Sequence, residues 1–179
     1  QEEVSGGRSL KEAAVFYRTN AQSRSFEEAM RRARMPYKIV GAMRFYERRE
    51  IKDVLAYVRL ILNPKDLVSL SRVINTPVRG IGPKSLKQII QALGKYDFSF
   101  QRIVNNIERE ELQPKAQGGA KDFFDLMARA SKLPETRNIL ELLELLLSRS
   151  GYKDSLLDGS KEGESRWENV EQLFNVAAK

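Results

Sequence analysis

Apolar positions in the first 41 residues come in short bursts. Residues 13–17 (AAVFY) form a continuous apolar run of strand length, and residues 37–40 (YKIV) form a second one, closed by Gly41. Between them Phe26, Ala29, Met30 and Ala33 recur at helical spacing, which predicts a helix over about 21–34, capped by Asn20 and stopped at Pro36. Strand, helix and strand within some 30 residues spell a βαβ unit, an arrangement that needs more sheet than this chain offers. From residue 49 the period changes. Ile51, Val54, Leu55, Val58 and Ile61 share one face of a helix over 49–62, ended by Asn63-Pro64. Further helices are predicted over 67–75, over 83–93 with Pro83 at its start and Gly94 at its stop, and over 98–106, 120–133, 136–148 and 164–178. The stretch 113–119, with Pro114 and Gly118-Gly119, reads as a flexible connection. The fold class is therefore mainly α: a multi-helix domain over 42–179 behind a small βαβ fragment over 1–41.

The run Ile139, Leu140, Leu142, Leu143, Leu145, Leu146, Leu147 is apolar nearly all round. A helix of that kind must be enclosed, either as a central core helix or as a short dimerisation zipper. Trp167, Val170, Leu173 and Phe174 make a comparable stripe, read as core.

Composition narrows the chemistry. The 179 residues contain no Cys and no His, which excludes disulfides, thiolate nucleophiles, zinc fingers and His-dependent triads or metal sites, and fits a reducing, cytoplasmic compartment. No apolar run approaches the ~18 residues of a membrane span, and the first residues lack the apolar segment of a signal peptide. The net charge of +7 is unevenly spread: residues 1–95 hold 19 basic and 9 acidic side chains, whereas residues 96–179 hold 12 and 15. A basic half on a mildly acidic one suits an anionic partner such as nucleic acid, and an ordinary solvated surface fits equally well.

The sharpest motif is Arg79-Gly80-Ile81-Gly82-Pro83-Lys84-Ser85. Two glycines allow close approach of a ligand to the backbone, and the helix opening at Pro83 presents unpaired N–H groups with a partial positive charge. Arg79 and Lys84 add cations on either side. Leu70, Val73, Ile74, Ile81, Leu86, Ile89 and Ile90 would pack the flanking helices together, the pattern of a helix-hairpin-helix that grips the DNA backbone without reading bases. A tight turn with glycines for geometry alone is the other reading. A nucleotide-binding P-loop is disfavoured, because Pro83 breaks the order G-K-[ST] and no apolar strand precedes the glycines. A second candidate is Arg18, Asn20, Gln22 and Arg24, two cations and two amides where a strand would give way to a helix; capping and solvated arginines explain it as well. The carboxylate pairs Glu27-Glu28, Glu110-Glu111 and Glu141 with Glu144 lie among Lys and Arg with nothing to mark acid–base chemistry or a metal site.

Taken together, these segments resemble the UvrD/PcrA/Rep group of superfamily 1 DNA helicases, over nearly the whole chain. AVFYRTNAQSR (14–24) looks like a motif of the RecA-like subdomain 2A; PYKIVGAMRFYERREIKDVLAYVRLILNP (36–64) resembles the passage from 2A into the inserted subdomain 2B; NTPVRGIGPKSL (75–86) resembles the GIG-containing element of 2B. SRSGYKDSLLD (148–158) and SRWENVEQLFNV (165–176) look like later 2B helices. The resemblance implies a partial 2A segment over 1–41 and a 2B-like subdomain over 42–179. It implies single-stranded DNA contacts at Arg18, Asn20 and Arg24, and duplex contacts at Arg79, Gly80, Ile81, Gly82, Lys84 and Ser85. Residues near 45–52 would lie by the junction about which 2B swivels.

The group couples ATP hydrolysis, with Mg²⁺, to 3′→5′ translocation and strand separation. The Walker loop, the Mg²⁺-binding acidic pair and the phosphate-clamping arginines of that machinery are not in this sequence. The resemblance thus implies a DNA-binding and regulatory piece of a larger helicase, with the rest of that chain and a single-strand/duplex junction as partners. It implies no membrane, no catalytic or metal site of its own, and no ATP hydrolysis by this piece alone. A stand-alone helix-hairpin-helix DNA-binding module and a protein–protein interaction module are the competing readings; two lone strands have no reason to exist in a stand-alone binder.

Overall fold

The computed structural model describes residues 9–10, 13–18, 22–40, 45–133 and 139–177, and all regular structure among them is helical. The chain forms two units, Gln1–Phe45 and Tyr46–Lys179.

The first unit carries one helix, α1 (Ser23–Arg32). Neither 13–17 nor 37–40 is a strand, so the βαβ expectation is overturned. The reason lies in hydrogen bonding: a strand needs neighbours for its N–H and C=O groups, and two short segments do not amount to a sheet. The face of α1 follows suit. Of the expected apolar stripe, Phe26, Ala29 and, just past the helix end, Ala33 are exposed and Met30 is half-buried, whereas Ser23, Arg24 and Glu27 are buried. Glu27 accepts a hydrogen bond from the Ser23 hydroxyl (3.2 Å), and Tyr17 stacks on Phe26 with ring centroids 6.2 Å apart. Asn20, expected as the cap, lies outside the described residues; Gln22 precedes the first turn and makes no side-chain cap bond.

The second unit is built from α2 (Arg49–Leu62), α3 (Leu67–Val73), α4 (Pro83–Lys95), α5 (Phe100–Asn106), α6 (Pro114–Ala130), α7 (Ile139–Arg149), α8 (Tyr152–Leu156) and α9 (Lys161–Ala177). Of the apolar face expected for α2, Ile51 and Val54 are buried and Leu55, Val58 and Ile61 half-buried, while Ala56, Tyr57 and Leu60 complete the buried side; the helix ends at extended Asn63, forced out of the helical region by Pro64. Asp66 caps α3 by accepting from the Ser69 N–H (3.0 Å) and hydroxyl (2.6 Å), and Ser99 caps α5. Gly94 does not stop α4, which runs on to Lys95; the chain reverses through Asp97 and Phe98, both left-handed (φ 54° and 57°), with the Phe98 N–H closing on the Leu93 carbonyl at 2.8 Å.

The supposed flexible connection 113–119 belongs instead to α6, which begins at Pro114 and carries both glycines inside it. The core gathers on this helix. Phe123 and Phe124 stand edge to face at 5.2 Å, Phe100 stacks on Phe124 at 6.0 Å and Tyr57 leans on Phe123 at 6.1 Å. Helix α5 packs on α6, α6 on α7, and α9 on α2. In α7 Leu143, Leu146 and Leu147 are buried, Leu142 and Leu145 half-buried, and Glu141 and Glu144 exposed, so the Leu-rich helix is a core element with one wet edge. No helix among the described residues is long and apolar enough to cross a membrane.

Candidate nucleic-acid interface

Residues 74–82 join α3 to α4, and side chains rather than a helix pair hold this loop. The Asn75 side-chain oxygen accepts from the N–H of Arg79 (2.7 Å) and of Ile81 (3.2 Å), stapling both ends of the turn to one amide. Gly80 takes the left-handed conformation (φ 75°), and Ile81 is buried beneath it. The two flanking helices do not form a hairpin on each other: α3 packs on α2, and α4 on α5. The helix-hairpin-helix expectation is corrected on this point, because Leu70, Val73, Ile74 and Ile89 enter the common core instead of a private two-helix seam.

Arg79 turns inward. Its guanidinium donates to the carbonyls of Val73 (3.1 Å), Ile74 (3.0 Å), Pro77 (3.2 Å) and Ser150 (3.0 Å) and to the Tyr57 hydroxyl (3.0 Å), and it lies 5.3 Å above the Phe123 ring. These bonds tie the end of α3, the loop, α2, α6 and the end of α7 to one planar cation. The fork that the sequence motif offers to a phosphate is thus occupied by protein carbonyls. The Tyr57 hydroxyl donates in turn to the Thr76 carbonyl at 2.7 Å. Burial pushes its phenol above the usual tyrosine range, against the pull of the Arg79 charge.

The outer side of the loop is open. A Cβ at Gly82 would meet nothing within 4 Å, so a ligand can reach this backbone unhindered. Gly82 precedes the first turn of α4 without a side-chain cap, and Pro83 occupies the first helical position, where its missing N–H is not needed. Lys84 and Lys87 are exposed, and no carboxylate partner is described for either. Ser85 is buried, which removes its side chain from the outer surface. Sequence reasoning missed two α6 residues here. A Cβ at Gly119 would sit 2.2 Å from the Arg79 carbonyl oxygen, so the loop backbone lies directly on α6. Lys115 lays its stem over Gly80, with Cγ 2.6 Å and Cε 3.1 Å from where a Cβ would be. Distance in sequence hid both; the paired glycines at 118–119 were the available signal.

On its inner side the loop borders a cleft of about 260 Å³, between Thr76–Val78 and the side chains of Asp53, Tyr152 and Arg166. Its polar groups already serve one another. The buried Asp53 carboxylate accepts from Tyr152 (2.9 Å) and pairs with Arg72 (2.7 Å); burial first, and then the Asp53 charge, pushes the Tyr152 phenol far above its usual range. Nearby, Asn169 of α9 accepts from Arg48 and donates to Glu50 (2.7 Å). These are braces for the loop rather than acid–base groups.

In the first unit the other candidates separate. Arg18 is exposed, with its N–H bonded to the Gln22 side chain at 2.9 Å. Arg24 is buried, paired with Glu28 through Nε (2.8 Å) and a terminal nitrogen (2.6 Å), and lies 4.9 Å above the Phe45 ring. Asn20 lies outside the described residues.

Comparison with known proteins bears on the whole chain. The model of the UvrD-like helicase C-terminal domain matches residues 1–179. The chain is similar to the ATP-dependent DNA helicase PcrA of Leuconostoc citreum, at 38% identity over 165 residues, covering 91% of this chain and 22% of that protein. It is 37% identical over 172 residues to PcrA of Bacillus subtilis strain 168 (96% and 23%), and 36% over 171 residues to that of Staphylococcus aureus strain NCTC 8325 (95% and 23%). The chain spans less than a quarter of the length of these relatives.

Proposed function

The chain belongs to the UvrD-like helicase C-terminal domain family, and from that premise we propose that it is the DNA-contacting and orienting part of a larger ATP-dependent 3′→5′ DNA helicase. Residues 1–41 are the end of a 2A segment and residues 42–179 a 2B-like subdomain; a unit boundary between Phe45 and Tyr46 is in keeping with that division. The observation that carries the reading is the loop 74–82, which Asn75 and Arg79 fix from within while Gly82, the start of α4 and the cations Lys84 and Lys87 face outward. A rigid, open backbone beside unpaired ammonium groups suits phosphates of a duplex, whatever their sequence. Of the duplex-contact residues, Gly80, Ile81 and Gly82 act through the shape of the backbone and Lys84 through its charge. Ser85 contributes from the buried start of α4 and Arg79 by holding the loop. Single-stranded DNA runs past Arg18 and Asn20, with Arg24 supporting α1 through Glu28.

ATP and Mg²⁺ belong to the rest of the helicase. The glycine loop does not fit a nucleotide, because Pro83 separates Gly82 from Lys84-Ser85 and no strand among the described residues leads into it. No phosphoryl-transfer step is assigned to this chain.

Fluorescence anisotropy with a labelled duplex carrying a 3′ single-stranded tail tests the reading. The expected result is micromolar or weaker binding, little affected by sequence and falling steeply as salt rises. Lys84→Ala should weaken duplex binding and Arg18→Ala only the tail contribution. Absence of binding to either DNA at 50 mM salt would overturn it.

A further inference from the structure

We propose that Lys115, on the first turn of α6, is a third duplex-contacting cation of the loop 74–82; this rests on the reading of that loop as a duplex interface. Gly80 sets the geometry. Its left-handed backbone and the Lys115 stem above it both exclude a side chain: a Cβ would lie 2.6 Å from Lys115 Cγ, 2.9 Å from Cδ and 3.1 Å from Cε. The lysine is therefore laid along the glycine turn instead of projecting away from α6, and the glycine makes room for it.

Its ammonium is also uncommitted. Lys115 is exposed, and no carboxylate partner is described for it. Other lysines of this unit have found one: Lys95 bonds Glu110 at 2.9 Å, and Lys121, further along α6, bonds Glu108 at 2.6 Å. Lys84, Lys87 and Lys115 thus flank the glycine turn from two helices, α4 and α6, that are distant in sequence. A lone exposed ammonium gains little from the protein itself; beside a fixed, open backbone it can neutralise a phosphate and release its counterion. The partner is duplex DNA, recognised by backbone charge and spacing. The contact by Gly119 holds α6 against the loop at Arg79, so that Lys115 keeps its place relative to Gly80.

The test is the salt dependence of duplex binding by this chain, with a blunt labelled duplex as the probe. Lys115→Met keeps an apolar stem over Gly80 and deletes the charge. The plot of log K against log salt should flatten by about 0.9, and affinity at 0.1 M salt should fall about eightfold, the same slope carried over the tenfold to 1 M. Lys115→Arg should restore both, and Lys121→Met, which removes a paired ammonium from the same helix, should change neither. The thermal midpoint of Lys115→Met should stay at the parent value. A slope unchanged in Lys115→Met but flattened in Lys84→Met overturns the role of Lys115 and leaves the duplex interface standing. A Lys115→Met slope unchanged with a lowered midpoint assigns the side chain to packing alone and equally overturns the proposal. Loss of all duplex binding by the parent chain at 50 mM salt removes both readings.

Discussion

Arg79 shows how one residue can matter to a surface without standing on it. Four carbonyls and a phenol share the four N–H groups of its two terminal nitrogens, and a carbonyl at the end of a helix has few other partners to choose from. Lysine in its place would offer a point charge with three donors, not a planar fork. Arg79→Met should therefore destabilise the chain by about 3 kcal/mol, since several buried acceptors lose their donor together. Arg79→Lys should recover less than half of that. Urea unfolding followed by circular dichroism measures both; equal stability of Arg79→Met and the parent would refute the structural role. The sequence announced a cation next to two glycines, and nothing local distinguished a guanidinium aimed at phosphate from one aimed at carbonyls 71 residues away.

At the scale of elements, α6 gives the clearest lesson. Gly118 and Gly119 stand side by side in the same helix, yet a Cβ at Gly118 would meet nothing within 4 Å and one at Gly119 would strike the Arg79 carbonyl at 2.2 Å. Gly118→Ala should stabilise the chain by about 1 kcal/mol through helix propensity. Gly119→Ala should destabilise it by about 1–3 kcal/mol, because the neighbour is backbone and cannot step aside. Thermal melts of the two single variants should move in opposite directions. This is also where reading the chain locally reached its limit. The bounds of helix α2 were legible, since its helical period and Asn63-Pro64 stop are both local, but which side is most deeply buried, with Tyr57 and Leu60 on it, depends on distant partners. Pro114 and two glycines looked like a linker because the contact that requires a glycine comes from Arg79, far back in the sequence. The strands at 13–17 and 37–40 failed for the complementary reason: a short apolar run suggests a strand, but sheet hydrogen bonds need partners, and the described residues provide none.

For the whole molecule, the absence of histidine and cysteine sets the pH response. No side chain has an ordinary range between about 6 and 8, so stability should be flat there. Tyr57 and Tyr152 then take over. Both phenols have their folded-state values raised by burial, so the folded state holds these protons more tightly than the unfolded chain does. That contribution is complete below about pH 10 and is lost as pH rises beyond it. The urea midpoint should hold steady from pH 6 to about 9 and decline above about 10, with Tyr152→Phe making the decline shallower; a midpoint constant to pH 11 would sink this account. The cations of residues 1–95 play unlike parts: Lys84 and Lys87 stand beside the open loop, while Arg24, Arg72 and Arg79 are tied into the protein. One further consequence comes from Gly119. Where a helix and a loop meet with no side chain between them, there is no soft layer to absorb strain. A pull on the loop by a bound polymer would reach α6, and the aromatic cluster it carries, with almost no slack, as in a lever with a tight pivot.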